Sequence, residues 1–123
     1  MIPLLSYAVT VCNELDELKR LIPKLGAARY PDEETGDEIV VLWDNRTYNQ
    51  EIAEQLSYWE RNWSRFKVFK GHFDGDFAAW KNRLNSHCYG EYIVQLDADE
   101  YPSDYLLEAL PSILMAQPEI EAY

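Results

Sequence analysis

The sequence is poor in several things, and each scarcity excludes a class of protein. Only two cysteines, Cys12 and Cys88, occur in 123 residues, too few for the disulfide framework of a small secreted domain. They read as two reduced thiols in a cytoplasmic protein. Basic residues are scarce as well: 11 Lys and Arg stand against 22 Asp and Glu, a formal net charge of −11. Binding to nucleic acid depends on phosphate neutralisation by Lys and Arg, so this balance excludes a general nucleic-acid role. No apolar run approaches the roughly 18 residues that a membrane helix needs. The segment from Met1 to Val11 has neither a basic leading region nor a small-residue cleavage site, and it does not read as a secretion signal. The two histidines, His72 and His87, stand in no metal-ligand spacing and read as surface or structural residues.

What is present is the material for a core. Hydrophobic residues make up 47% of the chain and aromatics 14%, a composition that folds rather than stays disordered. The length suits one domain over residues 1–123, with no internal repeat, low-complexity tract or linker. Charge is unevenly spread. Residues 61–83 hold Arg61, Arg65, Lys67, Lys70, Lys81 and Arg83 against only Asp74 and Asp76. Such an island in an acidic chain suits a small anion better than a long polyanion, the alternative being a solvated helix face.

Hydrophobic periodicity alternates along the chain. The run Leu4 to Val11 reads as a buried strand, followed by Asn13 as helix cap and by Leu15, Leu18, Leu21, Ile22 and Leu25 at helical spacing. Gly26 is a candidate stop for that helix, and Pro23 unsettles its last turn. Pro31 to Glu38 reads as a polar, acidic loop. Ile39 to Trp43 predicts a second strand, and Ile52, Leu56, Trp59 and Trp63 a second helix capped by Thr47 or Asn49. Arg65 to Lys70 alternates basic and apolar, as a strand with one wet face does. Asp74 and Asp76 fit a loop and a helix cap, ahead of a third helix marked by Phe77, Trp80, Leu84 and Cys88 and stopped by Gly90. Glu91 to Leu96 is a fourth strand. Ser103 then caps a last helix carrying Leu106, Leu107, Leu110 and Leu114, with Pro111 as a bend or an end.

Alternating strands and helices predict an α/β fold, a mostly parallel sheet flanked by helices. Ligands of such sheets bind beyond the carboxyl ends of the strands. Those ends carry Thr10 to Glu14, then Asp44-Asn45-Arg46, then Asp97-Ala98-Asp99-Glu100. The bare Asp-x-Asp pattern says little in a chain with nine aspartates, where Asp74-Gly75-Asp76 repeats it. Its position after an apolar strand gives it weight. Two carboxylates at a sharp turn can converge on Mg²⁺ or Mn²⁺, which complete their shells with substrate phosphates. The other use of such a turn is to cap the last helix.

The stretch from Asp76 to Glu100 resembles the nucleotide-sugar segment of family 2 glycosyltransferases of the GT-A fold. The matching residues are Trp80-Lys81-Asn82, where relatives commonly read Ala-Arg-Asn, then Gly90-Glu91-Tyr92 and Asp97-Ala98-Asp99. Val9-Thr10-Val11-Cys12-Asn13-Glu14 is similar to the family's first-strand signature, and Glu38 to Asn45 aligns with its second strand. Relatives often carry an acidic pair at the end of that strand, and here Trp43 takes the first position.

The resemblance implies a Rossmann-like nucleotide-sugar-binding domain and a hexosyltransferase-type enzyme, its donor most readily a UDP-sugar. It implies that Thr10 and Glu14, with the backbone near Cys12, lie against the nucleoside. Asp44 would accept a hydrogen bond from the base, and Lys81 would approach the base or the diphosphate. Asp97 would face the ribose or the metal, and Asp99 would ligate the metal, Mn²⁺ or Mg²⁺. Relatives continue into an acceptor-binding half with a catalytic aspartate, whereas 24 residues follow Asp99 here. The carboxylates beyond Glu100 are Asp104, Glu108, Glu119 and Glu121, and none matches the family's general base. The expectation is therefore a truncated donor half, either an enzyme that transfers or hydrolyses its donor, or a non-catalytic module that needs a partner chain. A sheet of this kind exposes an edge, which predicts a homo-oligomer. A receiver domain is excluded by the lack of any Lys after Lys81, and an Asp-x-Asp-x-Thr phosphatase by Tyr101 at the Thr position.

Overall fold

A computed structural model describes residues 5–28, 37–103, 105–107 and 109–110. The elements follow in the order β1 (Leu5–Val11), α1 (Leu15–Ala28), β2 (Glu38–Asp44), α2 (Gln50–Asn62), β3 (Phe66–Gly71), α3 (Phe77–Asn85) and β4 (Tyr92–Asp97). The strands form one sheet in the order β3-β2-β1-β4, with all three pairings parallel. Residues 105–107 and 109–110 are helical, where the last helix is expected. Pro111, Leu114, Asp104, Glu108 and the loop from 31 to 36 lie outside the described residues.

The two-residue period of the strands sorts their side chains between two faces. On one face Tyr7, Val9 and Val11 of β1 and Ile39, Val41 and Trp43 of β2 meet Leu18, Leu21, Ile22 and Leu25 of α1 and Ile52, Leu56 and Trp59 of α2. On the other face Ala8, Val40 and Leu42 pack against Leu84 of α3, with Phe69, Trp80 and Cys88 at the margin. Helices thus cover both faces, and β2 is buried at every position, as a doubly covered parallel strand is.

From β1 the chain steps outward to β2 and β3, then returns through α3 to lay β4 on the far side of β1. The reversal creates a crevice at the carboxyl ends of β1 and β4, the place where open α/β sheets hold ligands. There the register sets Thr10 beside Leu42 on one side and Asp97 on the other.

Several local expectations are corrected. Asn13 is not the cap of α1; Leu18 N–H donates to the Glu14 carbonyl at 2.9 Å, so Glu14 holds that position. The helix runs through Pro23 and past Gly26 to Ala28, because its face of Leu18, Leu21, Ile22 and Leu25 is fully buried and packing outweighs local propensity. Gly26 serves contact instead: a Cβ there would lie 2.7 Å from the Trp63 ring. Between Thr47 and Asn49, the cap of α2 is Asn49, whose side chain accepts from Ile52 N–H. The third helix ends at Asn85, short of Cys88, and tight turns through His87 and Cys88 close it.

Glu38 is not in a loop. It opens β2 and is buried, accepting from Ser6 Oγ at 2.6 Å and Tyr89 N–H at 2.6 Å and pairing with Lys67 at 2.8 Å. Burial alone would raise its carboxyl, but these partners hold it below its ordinary value. The basic residues of 61–83 therefore form no single patch. Lys67 sits with Glu38 at the amino edge of the sheet, and Arg83 donates to the Lys70 carbonyl at 2.8 Å. Only Lys81 of this group lines the crevice.

Candidate functional site

The crevice is a cleft of about 240 Å³. Every residue singled out from the sequence lines it: Thr10, Cys12, Glu14, Asp44, Lys81, Asp97 and Asp99. Val11, Phe73, Phe77 and Trp80 complete the wall. A larger groove of about 420 Å³ between α1 and α2 gathers Leu15, Lys19, Glu51, Glu54, Gln55 and Tyr58, with no comparable convergence of polar groups from the strand ends.

The floor is built from β1, β4 and α3. Asp97 Oδ1 accepts from Thr10 Oγ1 at 2.6 Å and from Lys81 Nζ at 2.9 Å. The Thr10 carbonyl accepts from Ala98 N–H at 2.9 Å, which stitches the turn after β4 to the end of β1. Glu100 Oε1 accepts from Asp97 N–H and Glu100 N–H donates back to the Asp97 carbonyl. That closed turn buries Ala98 and leaves Asp99 exposed in the cleft. Among the described residues the Asp99 carboxylate has no hydrogen-bond or ion-pair partner. Burial opposes the charge of Asp97, but Thr10 and Lys81 outweigh it and hold its carboxyl below the ordinary value.

The loop after β1 is fixed from two sides. Cys12 N–H donates to Glu14 Oε2 at 2.8 Å, and the Cys12 carbonyl accepts from Trp43 Nε1 at 3.1 Å. Trp43, in the place where relatives often carry an acid, is thus a buried support for the cleft. Burial, with the charges of Asp44 and Glu14 beside it, pushes the Cys12 thiol up. A thiol that stays protonated is a neutral wall and not a nucleophile.

Asp44, buried at the end of β2, is held by Arg46 in a forked pair: Nε reaches Oδ1 at 3.0 Å and Nη2 reaches Oδ2 at 2.8 Å. Phe73 N–H adds a longer bond of 3.3 Å to Oδ1. Burial disfavours this charge, and the Arg46 and Phe73 donors hold the carboxyl below its ordinary value. Sequence reasoning placed Arg46 in this cluster without giving it a role. It also missed the aromatic wall. Phe73 packs on Phe77 with centroids 4.7 Å apart and on Trp80 at 5.8 Å. Phe77 is 70% exposed, an unusual position for a phenylalanine and the one signal that a reading of burial could have used.

Asp97 and Asp99 are the two carboxylates that a metal could use. Among the described residues no group of three His, Cys, Asp or Glu gathers as a cage. The oxygen donors fit a hard divalent ion that draws the rest of its shell from phosphate, as Mg²⁺ does in phosphate-handling sites.

Comparison with known proteins places the fold. No curated protein matches the chain. Among solved structures it is similar to S. aureus TarS 1–349, at 22% identity and TM-score 0.75, over 94% of this chain and 33% of that one. The same TarS region in complex with UDP and with UDP-GlcNAc matches at 22% identity and TM-score 0.74. The chain therefore spans about a third of the length of these structures. The likeness shows the GT-A glycosyltransferase fold. Among the described residues no helix is long and apolar enough to cross a membrane. Residues 6–118 match the family described as glycosyl transferase family 2, and the chain belongs to that family.

Proposed function

We propose that the cleft binds a nucleotide-sugar, most readily a UDP-sugar, and that the sugar–diphosphate bond is cleaved there by transfer to an acceptor or by hydrolysis. The observation that carries this reading is the convergence of Thr10, Glu14, Asp44, Lys81, Asp97 and Asp99, from separate segments, on one cleft at the strand-order reversal. The UDP and UDP-GlcNAc complexes of TarS support the donor class.

In this reading Thr10, Glu14 and the backbone at Cys12 take the nucleoside, and Asp44 takes the base. Lys81 faces the diphosphate, Asp97 the ribose or the metal, and Asp99 the metal. Mn²⁺ or Mg²⁺ held by Asp99 and Asp97 would act as a Lewis acid on the departing nucleoside diphosphate. Lys81 adds positive charge where negative charge develops. Phe73, Phe77 and Trp80 narrow the cleft and keep water from its apolar side.

Titration calorimetry with UDP in the presence of Mn²⁺ tests the site. Asp99→Ala should weaken metal-dependent binding at least about tenfold, a loss of about 1.4 kcal/mol; unchanged binding overturns the assignment. Release of UDP from a panel of UDP-sugars tests turnover. A second reading is a non-catalytic module that needs a partner chain. It is favoured by one observation: Glu14, Asp44 and Asp97 are already bound to Cys12, Arg46 and Lys81. That leaves Asp99, the proposed metal ligand, and no spare cleft carboxylate for general-base work. Donor binding without UDP release selects this second reading.

A further inference from the structure

Lys81 and Asp97 hold each other in the cleft, although in the proposed function they serve different parts of the ligand. We infer that Lys81 is a stand-in cation for Asp97, which it releases to the donor's diphosphate, so that the cleft takes up metal and nucleotide together and neither well alone. The inference rests on the proposed donor site and adds to it an order of binding.

The geometry supports this in three ways. Lys81 Nζ lies 2.9 Å from Asp97 Oδ1, the same oxygen that Thr10 Oγ1 reaches at 2.6 Å. One oxygen of Asp97 is therefore saturated, and a second cation approaching that carboxylate meets the ammonium charge at close range. Asp99 alone, in the same cleft, remains without a partner among the described residues. A single carboxylate holds a hard, strongly hydrated divalent ion weakly. Finally, the pair is half open to solvent, with side-chain exposures of 30% for Lys81 and 54% for Asp97. An exposed ion pair is weak and is exchanged at little cost.

A diphosphate reverses each of these conditions. Its charge draws Lys81, which binds phosphate as a mobile point charge rather than through a fixed fork. Asp97 keeps the Thr10 hydroxyl on Oδ1 and loses the neighbouring ammonium that repels a second cation. The diphosphate also supplies oxygen ligands of its own. Linkage makes the effect reciprocal: UDP tightens Mn²⁺ by the factor by which Mn²⁺ tightens UDP.

The test measures Mn²⁺ binding by the loss of the free-ion paramagnetic resonance signal, with the chain alone and with saturating UDP. Wild type should bind Mn²⁺ at least about tenfold more tightly with UDP present, a coupling of about 1.4 kcal/mol. Lys81→Met should bind Mn²⁺ more tightly than wild type without UDP, and should show a smaller coupling factor. A gain of affinity is not what a damaged site produces. Lys81→Arg keeps a cation on Asp97 and should retain wild-type behaviour, so a misfolded Met variant still leaves the inference open to test. Equal Mn²⁺ affinity with and without UDP, while both bind, overturns it and leaves the donor site standing. Lys81→Met that folds and binds Mn²⁺ alone no better than wild type overturns it as well. Failure of UDP to bind under any condition overturns the donor site itself.

Discussion

At the scale of single residues, acid sensitivity among the described residues rests on three carboxylates. Glu38, Asp44 and Asp97 are each held below their ordinary values by donors that outweigh burial. Such a group binds fewer protons in the folded than in the unfolded chain, so stability rises with pH between the two values. Its contribution is complete above the unfolded value, about 4 for these acids, and disappears as pH falls through the lowered folded value. Urea midpoints should therefore drop once pH falls below about 4. Glu38→Gln should flatten that drop. It should also cost about 1–3 kcal/mol near neutral pH, because the Lys67 pairing is lost and a charged acceptor of two buried donors becomes a neutral one. Gly90 sets a second limit. A Cβ there would lie 2.6 Å from Ser6 N and 2.8 Å from the Leu5 carbonyl carbon. Backbone cannot move aside as a flexible side chain can, so Gly90→Ala should cost about 2–3 kcal/mol in chemical denaturation.

At the scale of elements, the caps decide where helices begin, and one of them bears on the site. Asp76 accepts from Ala79 N–H at 3.0 Å and opens α3, the helix that carries Lys81. Asp76→Ala should cost about 1 kcal/mol of stability, and the loosened first turn should weaken UDP binding, because α3 carries Lys81. Asp76 and Asn49 were readable because a cap's partner lies three residues away. The strands were readable because their apolar runs are long enough for burial on both faces. The failures share the opposite property. Glu38 looked like loop because it is acidic, and its counter-charge Lys67 lies 29 positions on. Cys88 fitted the period of the third helix because it does reach the same core, from a turn rather than from the helix, while His87 beside it stacks on Phe69 at 3.6 Å. The seven residues proposed for the site, which line the cleft, were singled out from the strand ends and, for Lys81, from the family resemblance. The aromatic wall was not, since it needs the folded positions of Phe73 and α3, and the fork of Arg46 on Asp44, though only two residues apart, depends on how the chain turns after β2.

At the scale of the whole molecule, the sheet is drawn outward from β1 in one direction and completed on its other side by a strand that comes late in the chain. One side strand, β3, lies at the margin of the sheet, where Glu60 of α2 accepts from the Val68 N–H at 3.0 Å and occupies a donor that would otherwise invite another strand. The other margin belongs to β4, and its role is different. Thr10 and Asp97 are 87 positions apart in sequence, so the cleft closes across nearly the longest separation that the described fold contains. A ligand of that cleft recognises the sheet only once β4 has paired with β1. UDP with Mn²⁺ at about 100 times its dissociation constant should stabilise the chain by about 2.7 kcal/mol, readable as a rise in melting temperature. The same separation makes ligand capture a clock for assembly. Pairings between distant segments form slowly, so after dilution from urea the recovery of UDP binding should trail the recovery of helical signal. Binding would then mark the pairing of β4 with β1, and a nascent chain that had made only β1 to β3 would still be blind to the ligand proposed for its cleft.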